Sequence, residues 1–300
     1  MTESKVSAAD VAFGYAAPTK RSLRNEIIGF VTLQRIAVDA IFLSPVAASA
    51  ALAGERFNDP RFIVLLVVTW LIASASHVIN DIVDTERDKR KWPLRSLPTG
   101  LISKSVAALY AALLAGTGLL IAGFVVNRLF AAMALLVLAS DYVYTRYTRD
   151  KIGYLTVLVP MALIPIAIWT AVSPETVLTP LPWLLAALLA AYGAAGNIAN
   201  EATDKVIVKP LFVRFKPFTE MAIYVACVII TLVLGTVILL YAQVPWAYLV
   251  VLIVLMAWAL TAAKYLGSKR SQETLKKAFM TVTLSGALST LSLAVLVWFK

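Results

Sequence analysis

The chain is poor in cysteine, histidine and charge. Charged residues make up 15% of its 300 residues, where a soluble domain carries about 25%. A single cysteine, Cys227, excludes an internal disulfide; lying in an apolar run, it reads as a buried structural thiol. A single histidine, His77, also in an apolar run, leaves too little for a Cys/His metal centre or a Ser-His-Asp triad. The first 24 residues lack the apolar core of a cleaved signal peptide and read as a flexible cytosolic tail. What the chain has instead is 60% hydrophobic residues and a mean hydropathy of +0.83. The apolar residues fall into long runs broken by short charged segments, as in a polytopic membrane protein.

A helix needs about 20 mainly apolar residues to cross a bilayer. Runs of that length predict nine helices in one all-α bundle spanning 25–300, at about 30–53, 61–80, 104–125, 128–146, 152–173, 181–200, 219–241, 245–266 and 277–299. With the N-terminus inside, the outer side keeps Arg56, Arg61, Arg128 and Lys300 alone of the 27 Lys and Arg. Cytoplasmic loops attract Lys and Arg, so this asymmetry supports both the count and the orientation. The formal charge of +10 then reflects topology and anionic membrane lipids. Nucleic acid is excluded as a partner, because no soluble domain is available to bind it. With no targeting segment, a prokaryotic plasma membrane is the expected location.

Two polar segments lie at the expected cytoplasmic ends of the second and sixth helices. In the first, Asn80, Asp84 and Asp88 recur every four residues, and Asp81 is three before Asp84. If the second helix continues through them, four oxygen-bearing side chains share one face. Stacked carboxylates repel, and a divalent cation relieves the repulsion. Hard oxygen ligands suit Mg²⁺, which takes one or two carboxylates and completes its shell with water and phosphate. The pattern points to a metal–diphosphate site. In the second segment Asn197, Glu201 and Asp204 share a face, with Asn200 four before Asp204. Aligning Asp88-Lys89 with Asp204-Lys205 puts Asp84 on Asn200 and Asp81 on Asn197, which hints at a duplicated four-helix unit.

Basic residues accompany these segments. Arg95 precedes a Pro98–Gly100 turn and can grip phosphate through two hydrogen bonds. Tyr142 to Arg146, then Lys151, follow the fourth helix. A diphosphate carries about three negative charges, so carboxylates hold it only with cations between. The acidic and basic groups make sense as one site.

The pattern Asn80-Asp81-x-x-Asp84-x-x-x-Asp88, followed by Arg95-x-x-Pro98-x-Gly100, resembles the first signature of the UbiA superfamily of intramembrane prenyltransferases. Nine helices with cytosolic aspartate motifs extend the resemblance over essentially the whole chain. Tyr144 to Lys151 resembles the family's diphosphate-contacting segment, and Arg35 sits where members often carry a basic residue. The chain departs from the second signature at Asn200, where an aspartate is usual, and at Asn197, so a second ion should be held more weakly.

The resemblance implies Mg²⁺-dependent transfer of an isoprenyl group from an isoprenyl diphosphate to a lipophilic or aromatic acceptor, either a quinone precursor or a glycerol-phosphate ether lipid. It implies Asn80, Asp81, Asp84 and Asp88 for one metal, and Asn200, Glu201 and Asp204 for the other. Arg95, Lys151, Tyr144 and Arg35 would bind the diphosphate, and Asp84, Asp88, Asp204 and Lys151 would carry the chemistry. A membrane terpene cyclase of the same fold is the alternative enzyme. A cation-binding transporter is the non-enzyme alternative, opposed by both acidic faces lying on one side.

Overall fold

The computed structural model describes residues 6–148, 157–207, 217–267 and 271–300, with the backbone alone at residues 201, 203–207, 217, 267 and 272. The described residues form helices and no strands. In chain order these are α1 (Ala8–Ala12), α2 (Leu23–Gln34), α3 (Ile36–Leu52), α4 (Pro60–Lys91), α5 (Lys104–Ile121) and α6 (Arg128–Val143). They continue with α7 (Leu158–Val172), α8 (Pro180–Ile207), α9 (Pro217–Tyr241), α10 (Ala247–Thr261), α11 (Ala263–Gly267) and α12 (Gln272–Trp298). Wider π-type turns extend α5 over Ala122–Val126 and α6 over Tyr144–Thr148.

Eight helical stretches among the described residues are long and apolar enough to cross a membrane, and the shorter apolar α7 stands at the fifth expected position. The protein is an integral membrane protein. The expected count of nine is therefore approximate: eight spans by length, and a fifth helix of 15 described residues.

The two longest helices before α12 position the site. Asp59 caps α4, its side chain accepting from Arg61 N at 2.8 Å, and Pro60 opens the helix with a preset φ. Its 32 residues are about 48 Å long at 1.5 Å each. The hydrocarbon core is about 30 Å thick. The C-terminal turns of α4, bearing Asn80 to Lys91, therefore stand beyond or at the edge of the apolar layer before Trp92-Pro93 ends the helix. The 28 residues of α8 exceed the core for the same reason. Each packs extensively on its successor, α4 on α5 and α8 on α9.

The first span is not one helix. Arg35 has φ 54° and ψ 52°, so α2 ends there and α3 restarts at an angle. The apolar run continues through this point, which is why hydropathy alone predicts no break. A non-glycine residue in the left-handed region costs about 1–2 kcal/mol. Arg35 Nη2 pairs with Asp81, which offsets that cost and aims the side chain inward.

The N-terminal segment also differs from the flexible tail expected of it. Ser7 and Asp10 form a capping box around α1. Beyond it Ala17 is fully buried and donates its N–H to Leu94 O at 2.7 Å, and Tyr15 stacks on Trp92 at 4.8 Å. Gly14 makes the turn. Its φ is 71°, and a Cβ there would lie 2.6 Å from Arg35 Cγ. The segment lies as a strap across the polar end of the bundle.

Candidate active site

The strap, α3, α4, α6, α8 and α12 enclose a cavity of about 290 Å³. Its α4 wall presents His77, Asn80, Asp84 and Asp88, offset by 3, 7 and 11 residues from the first and thus one stripe of the helix. Facing this stripe are Arg35, Arg95, Tyr144, Asn197 and Asn200. The deeper walls are apolar, among them Val38, Ile41, Met161 and Leu188.

Arg95 organises the polar end. Its side chain is 8% exposed. Nη1 donates to Asp88 Oδ2 at 2.7 Å and lies 3.4 Å from Asp81 Oδ1, while Nε donates to Gly14 O at 2.8 Å. Arg95 thus ties the strap to α4 and balances two buried carboxylates. Its guanidinium also lies 5.3 Å from the Trp92 ring centre. The Arg35 partner of Asp81 comes from the α2–α3 break. Burial pushes the Tyr15 hydroxyl above its ordinary pKa, against the opposing pull of Arg95 and Arg35. Tyr15 is therefore a neutral aromatic wall of the cavity at physiological pH.

The structure brings together Asn80, Asp81, Asp84, Asp88, Arg35, Arg95, Tyr144 and Asn200 at one end of the bundle. Asn80 Nδ2 donates to Thr145 Oγ1 at 3.0 Å, which leaves its carbonyl oxygen for the cavity. Asp81 has a role that helix periodicity did not assign. It is 3% exposed, does not line the cavity, and serves as counter-ion to Arg35 and Arg95. Helix spacing places it near Asp84, but the arginines arrive from distant segments and take it. Tyr144 donates its hydroxyl to Asn197 Oδ1 at 3.1 Å, and Asn197 Nδ2 is buried with no partner. An orphaned amide donor beside a cavity asks for an acceptor such as a phosphate oxygen. Lys151 lies outside the described residues. The backbone of Glu201 and Asp204 continues α8, and their side chains are likewise outside them.

Sequence reasoning passed over three side chains. Asp39 and Asp141 are lone acids inside apolar runs, which was their signal. Asp39 is 1% exposed, accepts from Ser74 Oγ at 2.6 Å and lies 3.0 Å from His77 Nε2. Asp141 accepts from Ser76 Oγ. Lys276 of α12 lies beside the Tyr15 and Trp92 rings, 4.9 and 4.7 Å from their centres. A second cavity of about 130 Å³, almost wholly apolar, meets the first at Phe42, His77, Asp141, Met161 and Ile164.

No three His, Cys, Asp or Glu side chains converge as a metal site among the described residues. Mg²⁺ does not require three, since substrate phosphate and water complete its shell. The groups turned to the cavity, Asn80, Asp84, Asp88 and Asn200, are oxygen donors of the hard kind it selects. They fit the ion together with a phosphate ligand better than the ion alone.

Solved structures share this fold. A UbiA homologue from Archaeoglobus fulgidus bound to GPP and Mg²⁺ superposes with a TM-score of 0.68 at 16% identity, covering 91% of this chain and 100% of that one. A structure concerned with digeranylgeranylglyceryl phosphate synthase in membranes gives 0.67 at 17% identity, over 92% and 99%. Among curated proteins, digeranylgeranylglyceryl phosphate synthase of Sulfolobus acidocaldarius is 36% identical over 94 residues, 31% of this chain and 34% of that protein. The Thermococcus sibiricus protein of the same name is 35% identical over 106 residues, 35% and 38% respectively. The chain thus spans only about a third of the length of these curated relatives in each match. The UbiA prenyltransferase family model matches residues 42–291, the greater part of the chain, and the protein belongs to that family.

Proposed function

We propose that the protein transfers an isoprenyl group from an isoprenyl diphosphate to a membrane-associated acceptor, with Mg²⁺ as cofactor. The observation that carries this reading is the cavity in which an oxygen-donor stripe, Arg35, Arg95 and a deep apolar wall meet. Buried charged groups such as Asp84, Asp88 and Arg95 are costly unless they are paired or serve a ligand. A diphosphate with a hydrocarbon tail is the ligand that uses both ends.

In this reading Asp84 and Asp88 hold the ion, with Asn80 and Asn200 contributing neutral oxygens. Bound there, Mg²⁺ supplies positive charge to the leaving diphosphate. Arg95 and Arg35 bind the phosphate oxygens, moving from the carboxylates they neutralise in the structure. Asn197 donates its orphaned amide N–H. Lys151, Glu201 and Asp204 belong to the same end of the bundle by sequence and are assigned there by family resemblance alone. The tail enters the apolar cavity between α3, α4, α6 and α7, lined by Phe42, Val68 and Phe130. Dry walls around the reacting carbon keep water from the allylic cation. The strap closes the polar mouth through Phe13 and Tyr15.

The acceptor best supported is a glycerol-phosphate ether lipid, since both curated relatives carry the name digeranylgeranylglyceryl phosphate synthase. The arginine and lysine pattern supports a cytoplasmic active site. The test is diphosphate release and product mass from geranylgeranyl diphosphate, with Mg²⁺ or EDTA, with and without geranylgeranylglyceryl phosphate. Acceptor-dependent product lost with EDTA is expected. A cyclised hydrocarbon formed without acceptor would make the protein a terpene cyclase instead. No release from prenyl diphosphates of any length would end the transferase reading.

A further inference from the structure

The transferase reading leaves Asp39, Ser74 and His77 without a task. Asp39 is buried in α3 four residues after the Arg35 break, and Ser74 Oγ donates to its Oδ2 at 2.6 Å. Its Oδ1 lies 3.0 Å from His77 Nε2, and neither of these two atoms has another partner or a well-aligned hydrogen bond. A buried carboxylate beside an imidazole is expensive in an apolar bundle unless the pair shares a proton. His77 lines the cavity and its Nε2 is buried against Asp39, so Nδ1 is the nitrogen assigned below to a ligand.

The position of this pair is specific. His77 lines both cavities, at the neck where the polar chamber meets the apolar one. It stands three residues before Asn80 and seven before Asp84 on one helical stripe, about 4.5 and 10 Å deeper along the axis. A diphosphate held at Asp84 with its tail in the apolar cavity therefore brings its first carbon past His77. The tilted Phe42 ring, 6.2 Å away, flanks the imidazole on the α3 side.

We propose that His77, oriented by Asp39, is the base that takes the proton lost by the acceptor as it captures the allylic cation. This rests on the transferase reading. The carbon–oxygen bond of the donor breaks, and its electron pair leaves with diphosphate. The acceptor oxygen forms a bond to the allylic carbon with its own pair. Its proton passes to His77 Nδ1, and the resulting imidazolium is balanced by the Asp39 carboxylate. Asp39 is a positioning residue in this scheme and touches no substrate.

The scheme predicts a split between two measurements on one sample. Protein with His77→Gln or the isosteric Asp39→Asn is assayed in Mg²⁺ with geranylgeranyl diphosphate and geranylgeranylglyceryl phosphate. Diphosphate release and ether product are followed together. Release should stay within about threefold of the unaltered protein, while ether product falls about 100-fold, the scale of general-base catalysis. The missing prenyl groups should appear as alcohol or diene. Release and product falling in step, in protein that elutes as a single detergent-bound species, would overturn the proposal by tying the pair to ionisation. Unchanged product in both variants would overturn it too. Asp39→Asn keeps the Ser74 hydrogen bond and decides the matter if His77→Gln does not fold. Absence of release by the unaltered protein would instead fail the transferase reading, and the base with it.

Discussion

The ends of α4 and α8 are alike in position, but the described side chains they turn to the cavity differ in charge. Both run past the apolar layer, and both turn oxygen-bearing side chains into one cavity. The α4 end offers Asp84 and Asp88 to the cavity, backed by Asp81 and clamped by Arg35 and Arg95. Among the described side chains, the α8 end offers Asn197 and Asn200. Carboxylates in a site of low dielectric need counter-charges when no ligand is present, and the arginines supply them. Asparagine needs only a hydrogen-bond partner, and Tyr144 supplies one to Asn197. The difference teaches that matched helix ends need not carry matched chemistry: among the described side chains, α4 carries the charge for the cation, and α8 carries shape and neutral donors.

That comparison is broken most directly by truncating matched positions. Asp84→Ala should lower Mg²⁺-dependent diphosphate release about 10³-fold, as loss of a charged transition-state partner does. Asn200→Ala should lower it only about 10-fold, the scale of one neutral interaction. Equal losses in a steady-state release assay would show that the two ends share the ion evenly. Next in size, Arg95→Gln leaves Asp81 and Asp88 short of counter-charge and frees the strap at Gly14. Breaking a buried ion pair on one side costs about 3 kcal/mol. A marked drop in the thermal midpoint in detergent is expected, with faster proteolysis near residue 17. A midpoint unchanged by the substitution would mean that Arg35 alone balances both acids.

Much of this contrast was legible in the sequence. Run length exposed the spans, because the bilayer sets a ~20-residue ruler that tertiary packing does not override. The four-residue spacing of Asn80, Asp84 and Asp88 placed them on one stripe, because α4 continues unbroken to Lys91. Asp81 shows where that logic stops. Helix periodicity says which residues share a face, but Arg35 and Arg95 come from segments 46 and 14 residues away. The break at Arg35 was hidden for the same reason, since hydropathy is blind to a turn made inside an apolar run. The strap was hidden because a short polar segment has no periodicity, and its order comes from Arg95, Leu94 and Trp92. Asp39 and His77 were visible singly as polar residues in apolar runs, but only helix packing makes them a pair.

The charge difference can also be sharpened by restoring it. Asn200→Asp adds a carboxylate to the α8 wall of the cavity, facing the charged stripe of α4. Metal affinity rises with the number of charged ligands. The Mg²⁺ concentration for half-maximal release should therefore fall about 10-fold. An unchanged or higher requirement would place Asn200 away from the ion and reduce α8 to a wall.

The smallest effect expected is at the neutral contact itself. Tyr144→Phe removes the hydroxyl that donates to Asn197 Oδ1 at 3.1 Å and leaves both ends of that buried amide without a protein partner. One such hydrogen bond is worth about 1 kcal/mol, which corresponds to about fivefold in an equilibrium. If Tyr144 acts by holding Asn197 toward the diphosphate, the loss appears as a KM for the prenyl diphosphate raised about fivefold, with kcat nearly unchanged. If Tyr144 touched the leaving group in the transition state, kcat would fall instead. The split between the two constants decides whether the α8 end binds the substrate or helps to break it.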